Sequence, residues 1–253
     1  MVRAQRERPL RISVELVPRS QESLAGELAQ IKAQLPSVDT INLPDLSSFP
    51  LRSWQGCTQA RPLFNAIPHL RAVDIDLAKP LPMAAFLAEH GISEVLVVGG
   101  DTAPSMSRPV YPTTSLELIK KVRLEHPELT VYAALDPYRQ SFRAERDYAL
   151  RKLEAGAAGL FTQPFFDLRL LELYAELLPG TQVFWGATSV LSERAKQYWL
   201  TRNQAILPTD FAPTLAWNRR LAQNVLAFAK AHGGNVYFMP IKVDVVRYLQ
   251  GIV

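Results

Sequence analysis

KLEAGAAGLFTQPFFD, Lys152 to Asp167, changes structural character in its middle. Its first residues close a helical stretch that begins near Arg143, and Gly156 marks the stop. An apolar run follows, into which the sequence sets Thr162, Gln163 and Pro164, then two phenylalanines and Asp167. A helix that hands over within a few residues to a short buried strand is the joint of an alternating α/β repeat. The stretch therefore sets the fold class if the same alternation recurs on either side. It also poses a chemical question, because a strand that reads as buried carries a glutamine at its end.

The alternation does recur. Upstream, RISVELVP (Arg11–Pro18) reads as a strand and Ser20–Leu35 as a helix, with Leu24, Leu28, Ile31 and Leu35 at helical spacing and Ser20 at its start. Val38–Asp45 and Ile67–Asp74 read as strands, separated by a less regular stretch through Ser53–Leu63. Leu81–Gly91 is helical, and EVLVVGGD (Glu94–Asp101) is the clearest buried strand in the chain. Thr114–Pro127 is an amphipathic helix stopped by proline, and Leu129–Asp136 is a strand. Downstream come a helix at Leu168–Gly180, a strand at Gln182–Val190, helical stretches around Ser192–Asn203 and Thr214–His232, a strand at Asn235–Val243 and a last helix at Val243–Gln250. Eight strands alternating with helices at steps of roughly 25–30 residues predict a parallel sheet covered by helices, and this number in a chain of this length predicts a (β/α)8 barrel. An open doubly wound sheet would carry a glycine fingerprint in its first turn. LVPRSQES holds no glycine.

Composition is consistent with one domain. The 253 residues are 48% hydrophobic and 21% charged, with a net charge of +4. No linker or shift of composition divides them, so residues 1–253 read as a single barrel domain, with residues 1–10 a flexible basic N-terminal tail. The cationic residues are otherwise scattered, which argues against a nucleic-acid partner. One cysteine, Cys57, excludes an internal disulfide, and neither a signal core nor a membrane-length apolar run is present. A cytoplasmic protein is the expectation, with a homo-oligomer among the states open to it.

Barrel enzymes place their chemistry at the C-terminal ends of the strands. There this chain sets Glu15, Asn42 and Asp45, His69 and Asp74, Asp101, Asp136, Thr162 and Gln163, and Thr188. The four histidines are dispersed, and no metal-ligand spacing, nucleophile elbow or phosphate loop is present.

GLFTQPFFD preceded by KLEAGA resembles the helix–strand signature of the methylenetetrahydrofolate reductase family. ISVELVP, IPHLRAVD, VLVVGGD and NVYFMPIK resemble, in order, that family's first, third, fourth and last strands. The resemblance implies a (β/α)8 barrel that passes a hydride from NADH or NADPH through FAD to 5,10-methylenetetrahydrofolate, giving 5-methyltetrahydrofolate. Carried over, it makes Glu15 the acid that helps open the methylene bridge, a task suited to a carboxyl whose pKa is raised by a desolvated site. It makes Asp101 the carboxylate on the amino-pyrimidine edge of the pterin and Gln163 the amide that offers the ring a donor and an acceptor. Phe165 and Phe166 become apolar wall of the substrate site. His69 becomes a flavin contact, and Glu145 and Lys152 become residues that reach the flavin's ribityl-phosphate arm. Each has a structural competitor: an ion-paired strand residue for Glu15, a turn or cap for Asp101, a backbone partner for Gln163, solvated helix charges for Glu145 and Lys152.

The departures from the family lie on the flavin side. Gly99 stands where the family has an arginine, Glu145 where it commonly has aspartate, and the segment ILPTDFAPTLAW between the last two strands is short. Two further readings therefore stand beside the first: a folate-dependent relative that works without flavin or handles a methyl group, and a folate-binding subunit that relies on a partner protein for electrons.

Overall fold

Eight strands form one closed, all-parallel barrel in sequence order, each hydrogen-bonded to its neighbour and the last to the first. The structure is a computed structural model describing residues 9–17, 20–46, 51–101 and 108–253. Most of the expected N-terminal tail lies outside these residues. The strands are β1 (Ile12–Glu15), β2 (Thr40–Leu43), β3 (Asn65–Arg71), β4 (Glu94–Val98), β5 (Thr130–Leu135), β6 (Gly159–Pro164), β7 (Val183–Thr188) and β8 (Asn235–Met239). The helices between them are α1 (Gln21–Gln34), α2 (Ser53–Ala60), α3 (Ala84–Glu89), α4 (Ser115–Glu125), α5 (Phe142–Glu154), α6 (Leu168–Leu177), α7 (Glu193–Thr201) and α8 (Leu215–His232), and α9 (Val245–Leu249) follows the last strand.

Local sequence explains most boundaries. Ser20 caps α1, accepting from the Ser23 amide while the Ser23 hydroxyl accepts in return from the Ser20 amide. Ser141, Asp167, Ser192 and Thr214 cap α5, α6, α7 and α8 from one side only, each side chain accepting from a first-turn amide. The helix α2 replaces the irregular stretch expected there. SWQGCTQA is poor in strong helix formers. Burial of Trp54, Gly56, Cys57 and Ala60 against the barrel supplies what propensity lacks. A side chain at Gly56 would come within 2.8 Å of Leu43, so the close approach of α2 to β2 needs the glycine.

Side-chain alternation divides the core in two. Val14, Ile41, Leu70, Val95, Val97, Val131, Ala133, Trp185, Ala187 and Phe238 face outward into the layer under the helices. Ile67, Leu96, Tyr132, Phe161, Phe184, Tyr237 and Met239 form a separate cluster inside the barrel. Phe161 and Phe184 stack at 3.9 Å, with Tyr132 and Tyr237 edge-on to Phe161 at 5.2 Å. Below this plug Arg11 forms a two-pronged pair with Glu94 at 2.7 and 2.8 Å and also donates to Thr40 and Tyr132. The lower end is thus closed by a polar lock and the middle by aromatic rings. Only the upper end, at the strand C-termini, is left for chemistry.

Candidate active site

Glu15 ends β1 on the inner face, and three neighbouring strands surround it. From β8, the Tyr237 phenol donates to Glu15 Oε2. From β3, His69 Nε2 stands 3.9 Å from the same oxygen. From β2, Asn42 lies opposite Glu15 in the register and donates to Ser13. The Glu15 side chain is 17% exposed. Burial pushes its carboxyl up to about 7, against the opposing pull of the Tyr237 hydrogen bond. Burial likewise pushes His69 down to about 3, so its ring is neutral at ordinary pH. His69 Nε2 and Asn42 Oδ1 are buried without a hydrogen-bond partner among the described residues. Orphaned polar atoms beside a protonatable carboxyl mark a place where a polar group from outside is accommodated.

Two exposed side chains stand on the rim above. Gly100 adopts φ +93°, and a side chain there would strike Val73 at 2.7 Å. This turn delivers Asp101, whose backbone carbonyl accepts from Arg71 Nη2 at 2.7 Å. The Asp101 carboxylate has no hydrogen-bond partner among the described residues. Gln163 is exposed where the β6–β7 register shifts between Phe161 and Pro164. The bulge is possible because β7 has Gly186 beside it: a Cβ there would lie 2.5 Å from the Thr162 carbonyl oxygen and 2.8 Å from that of Gln163. The Gln163 amide is also without a partner among the described residues. The glutamine at the end of a buried strand is turned out of that strand by a bulge.

The other predicted residues are placed elsewhere. Phe165 and Phe166 are buried to 0% and 1% exposure. Phe165 packs on Tyr174 and Trp185, and Phe166 on Trp199 and Phe211. They belong to the layer under the helices and offer no wall to a ligand at the mouth, because the chain turns outward after Pro164. Glu145 accepts from the Asp136 amide at 3.1 Å and from Gln140 Nε2 at 2.8 Å, and is 1% exposed. Lys152 donates to the Ala134 carbonyl at 2.6 Å and stands 4.0 Å from the Tyr148 ring. Burial is the main cause that takes Lys152 down to about 8. Both residues fasten α5 to β5 from inside. As placed, they do not fit the role of holding a flavin's phosphate arm. Gly99 has no side chain, and Arg139 from the β5–α5 loop reaches to 4.0 Å of where its Cβ would stand.

Sequence reasoning missed the partner of Glu15. Tyr237 sits in NVYFM, where an aromatic residue in a buried strand reads as core, and only the register with β1 distinguishes it. It also missed an ion-pair lattice joining the loops after β2, β3 and β4. Arg52 binds Asp45 at 2.7 Å and approaches Asp74 at 3.5 Å, Arg71 approaches Asp74 at 3.4 Å, and Arg108 approaches both carboxylates. No group of residues able to hold a metal ion occurs among the described residues, and no described helix is long and apolar enough to cross a membrane. A groove of about 530 Å³ lined by Ser20, Gln21, Leu51, Gln55, Thr58, Phe86 and His90 lies outside the barrel between α1, α2 and α3, and contains none of the site residues.

Comparison with known proteins bears on the family. The family model for methylenetetrahydrofolate reductase matches residues 56–179, which include His69, Asp101 and Gln163 but not Glu15. The 5,10-methylenetetrahydrofolate reductase of Escherichia coli (strain K12) is 29% identical over 105 residues, 41% of this chain and 36% of that protein. The Buchnera aphidicola enzyme of the same name is 28% identical over 102 residues. The alignments thus span about a third of these relatives. Among solved structures, 2,3-dimethylmalate lyase superposes with a TM-score of 0.58 at 12% identity over 94% of this chain and 77% of its own, and oxaloacetate acetylhydrolase with 0.56 at 10% over 92% and 76%. At such identity these two show the barrel fold alone.

Proposed function

We propose, for a chain whose residues 56–179 belong to the methylenetetrahydrofolate reductase family, that it reduces 5,10-methylenetetrahydrofolate to 5-methyltetrahydrofolate with a hydride from NADH or NADPH. The observation that carries this reading is Glu15, a carboxyl that keeps its proton to about pH 7 at the strand C-terminal end of the barrel. The bridge carbon of the substrate is bound to two nitrogens and resists a hydride. Protonation of one nitrogen breaks its bond to the bridge, the electron pair stays on that nitrogen, and the other nitrogen is left as an iminium that accepts hydride at carbon. An acid with a pKa near the working pH serves this step best. Asp101 and Gln163, both exposed with unpartnered polar groups, have the chemistry to meet a pterin's edge: a carboxylate for two N–H donors and an amide for a donor and an acceptor.

His69, neutral and buried beside Glu15, would limit the mouth on the β3 side. FAD is a different matter. Glu145 and Lys152 are committed within the protein, so no step is assigned to a flavin, and the nicotinamide is read as the direct hydride source.

The test is anaerobic NADH or NADPH oxidation by purified protein with methylenetetrahydrofolate, with 5-methyltetrahydrofolate measured as product and the protein's visible spectrum recorded. Turnover by a colourless preparation is the expected result. Turnover with a stoichiometric flavin spectrum would retain the reaction and overturn the direct transfer. Tight folate binding without turnover would assign a binding subunit in place of an enzyme, and absence of both would remove folate from the account.

A further inference from the structure

We infer that Tyr237 is a positioning residue for the reactive carboxyl: its phenol holds Glu15 Oε2 and so leaves Oε1 as the oxygen that carries and delivers the proton. This rests on the reading of Glu15 as the acid.

The geometry supports a fixed, one-sided contact. Tyr237 faces inward from β8, paired in register with Ser13 of β1. It is 4% exposed, and its ring is held edge-on to Phe161, itself stacked on Phe184. The ring therefore cannot swing away without opening the aromatic plug. Burial beside Glu15 raises the phenol well above its ordinary value, so it remains protonated and can only donate to the carboxylate. The other groups facing Glu15 are Ser13 on its own strand, Asn42 on β2 and His69 on β3. Ser13 and Asn42 are neutral and bonded to each other, and the neutral His69 stands at 3.9 Å, beyond hydrogen-bond reach. Among the described residues no ionised group pairs with Glu15. Tyr237 is thus the one group that distinguishes the two carboxyl oxygens and favours the carboxylate formed when the proton leaves.

The step balances. Oε1 gives its proton to the folate nitrogen as the C–N bond breaks toward that nitrogen. The carboxylate remains on Glu15 with the phenol still protonated, and solvent returns a proton after product leaves.

The test is Tyr237→Phe, which keeps the ring. The Glu15 carboxyl is titrated without ligand by isotope-edited infrared spectroscopy, using Glu15→Gln to identify its band, and the pH profile of turnover is recorded in parallel. The expected result is a Glu15 titration moved upward by about 1 pH unit, the loss of one charge-assisted hydrogen bond. The high-pH limb of kcat should move with it, kcat should fall roughly tenfold and folate affinity should change less than twofold. A carboxyl that titrates as in the parent protein overturns the inference, whatever happens to kcat. Should the phenylalanine variant not fold, 3,5-difluorotyrosine at position 237 gives the opposite sign: a more acidic phenol should lower the Glu15 titration, and an unmoved titration again overturns the inference. The ligand-free titration separates the two levels. A shift without folate turnover supports the Tyr237–Glu15 coupling and removes the proposed reaction, whereas turnover with an unmoved carboxyl does the reverse.

Discussion

Glu15→Gln should stabilise the fold, and the gain should appear only as pH rises. In the folded protein the Glu15 carboxyl holds its proton to about 7, against an ordinary value of 4.5, chiefly because it is buried. A folded-state pKa above the unfolded one means that the folded state binds more protons across the interval, so stability falls as pH climbs from about 4.5 to about 7 and is then level. At about 1.4 kcal/mol per pH unit, that interval corresponds to a loss of roughly 3 kcal/mol. Glutamine has the same shape, its carbonyl can accept the Tyr237 hydrogen, and it carries no charge to desolvate. The stability difference between variant and parent should therefore be near zero at about pH 4 and approach roughly +3 kcal/mol at about pH 8. Urea unfolding of both proteins at matched ionic strength, stepped across that range, measures it. Subtracting the two curves removes titrations they share. His69 is one of these: its folded value of about 3 lies below its ordinary 6.5, so both proteins gain stability as pH rises through that interval. A difference that is flat with pH would refute the reasoning, because it would show that the carboxyl is not desolvated in the folded state. The same variant should lack the proton that opens the methylene bridge, so the stabilised protein should be the inactive one.

Two further predictions concern the scaffold. Glu94→Gln removes the nearer counter-charge of Arg11 at the closed end of the barrel, leaving only Asp39 at 3.9 Å, and should destabilise the protein by about 2 kcal/mol in urea melts, less than for a fully buried pair because both side chains are nearly a fifth exposed; a change under about 0.5 kcal/mol would mean that the lock is neutral. Gly186→Ala puts a methyl group 2.5 Å from the Thr162 carbonyl oxygen, where only backbone can yield. It should cost about 3 kcal/mol and weaken folate binding by displacing Gln163, and an unchanged Tm with unchanged affinity would show that the bulge does not depend on the glycine.

The barrel was legible because its signal is repetition. Strand after strand is apolar on both faces, and each is followed by a helix. What repetition does not carry is the direction in which each side chain points. Phe161 and Phe165 look alike in GLFTQPFFD, yet one plugs the barrel and the other packs under the helices, because a bulge between them shifts the register. Tyr237 was hidden for the same reason: an aromatic residue in an apolar strand gives no sign of a hydroxyl that meets a carboxyl on the neighbouring strand. Glu15 and Gln163 were visible because a charged or amide side chain in such a strand has no apolar explanation. The helix α2 was missed because SWQGCTQA has weak intrinsic preference, and the packing that creates it involves residues distant in the chain.

The division between the two sides of the site follows from hydrogen-bonding capacity. A residue can receive a ligand only with groups that the fold has not already used. Asp101 and Gln163 keep theirs unused on the rim, and Glu15 keeps one oxygen unused below them. Glu145 is in the opposite state. Turning it toward a flavin would deprive the Asp136 amide and the Gln140 side chain of their acceptor. Gln140 is exposed and would turn to water, so the cost falls on the Asp136 amide, about 1–3 kcal/mol before the cofactor gained anything. Moving Lys152 would similarly orphan the Ala134 carbonyl, taking the total to about 2 kcal/mol or more, roughly thirtyfold in affinity. A reduced nicotinamide that approaches the iminium from the strand C-terminal end needs neither residue to move. On this account the motif that resembles a flavin-binding helix is retained because it fastens α5 to β5. Replacing Lys152 with methionine should then lower stability, seen as a fall in Tm, and leave the rate of folate reduction per folded molecule unchanged.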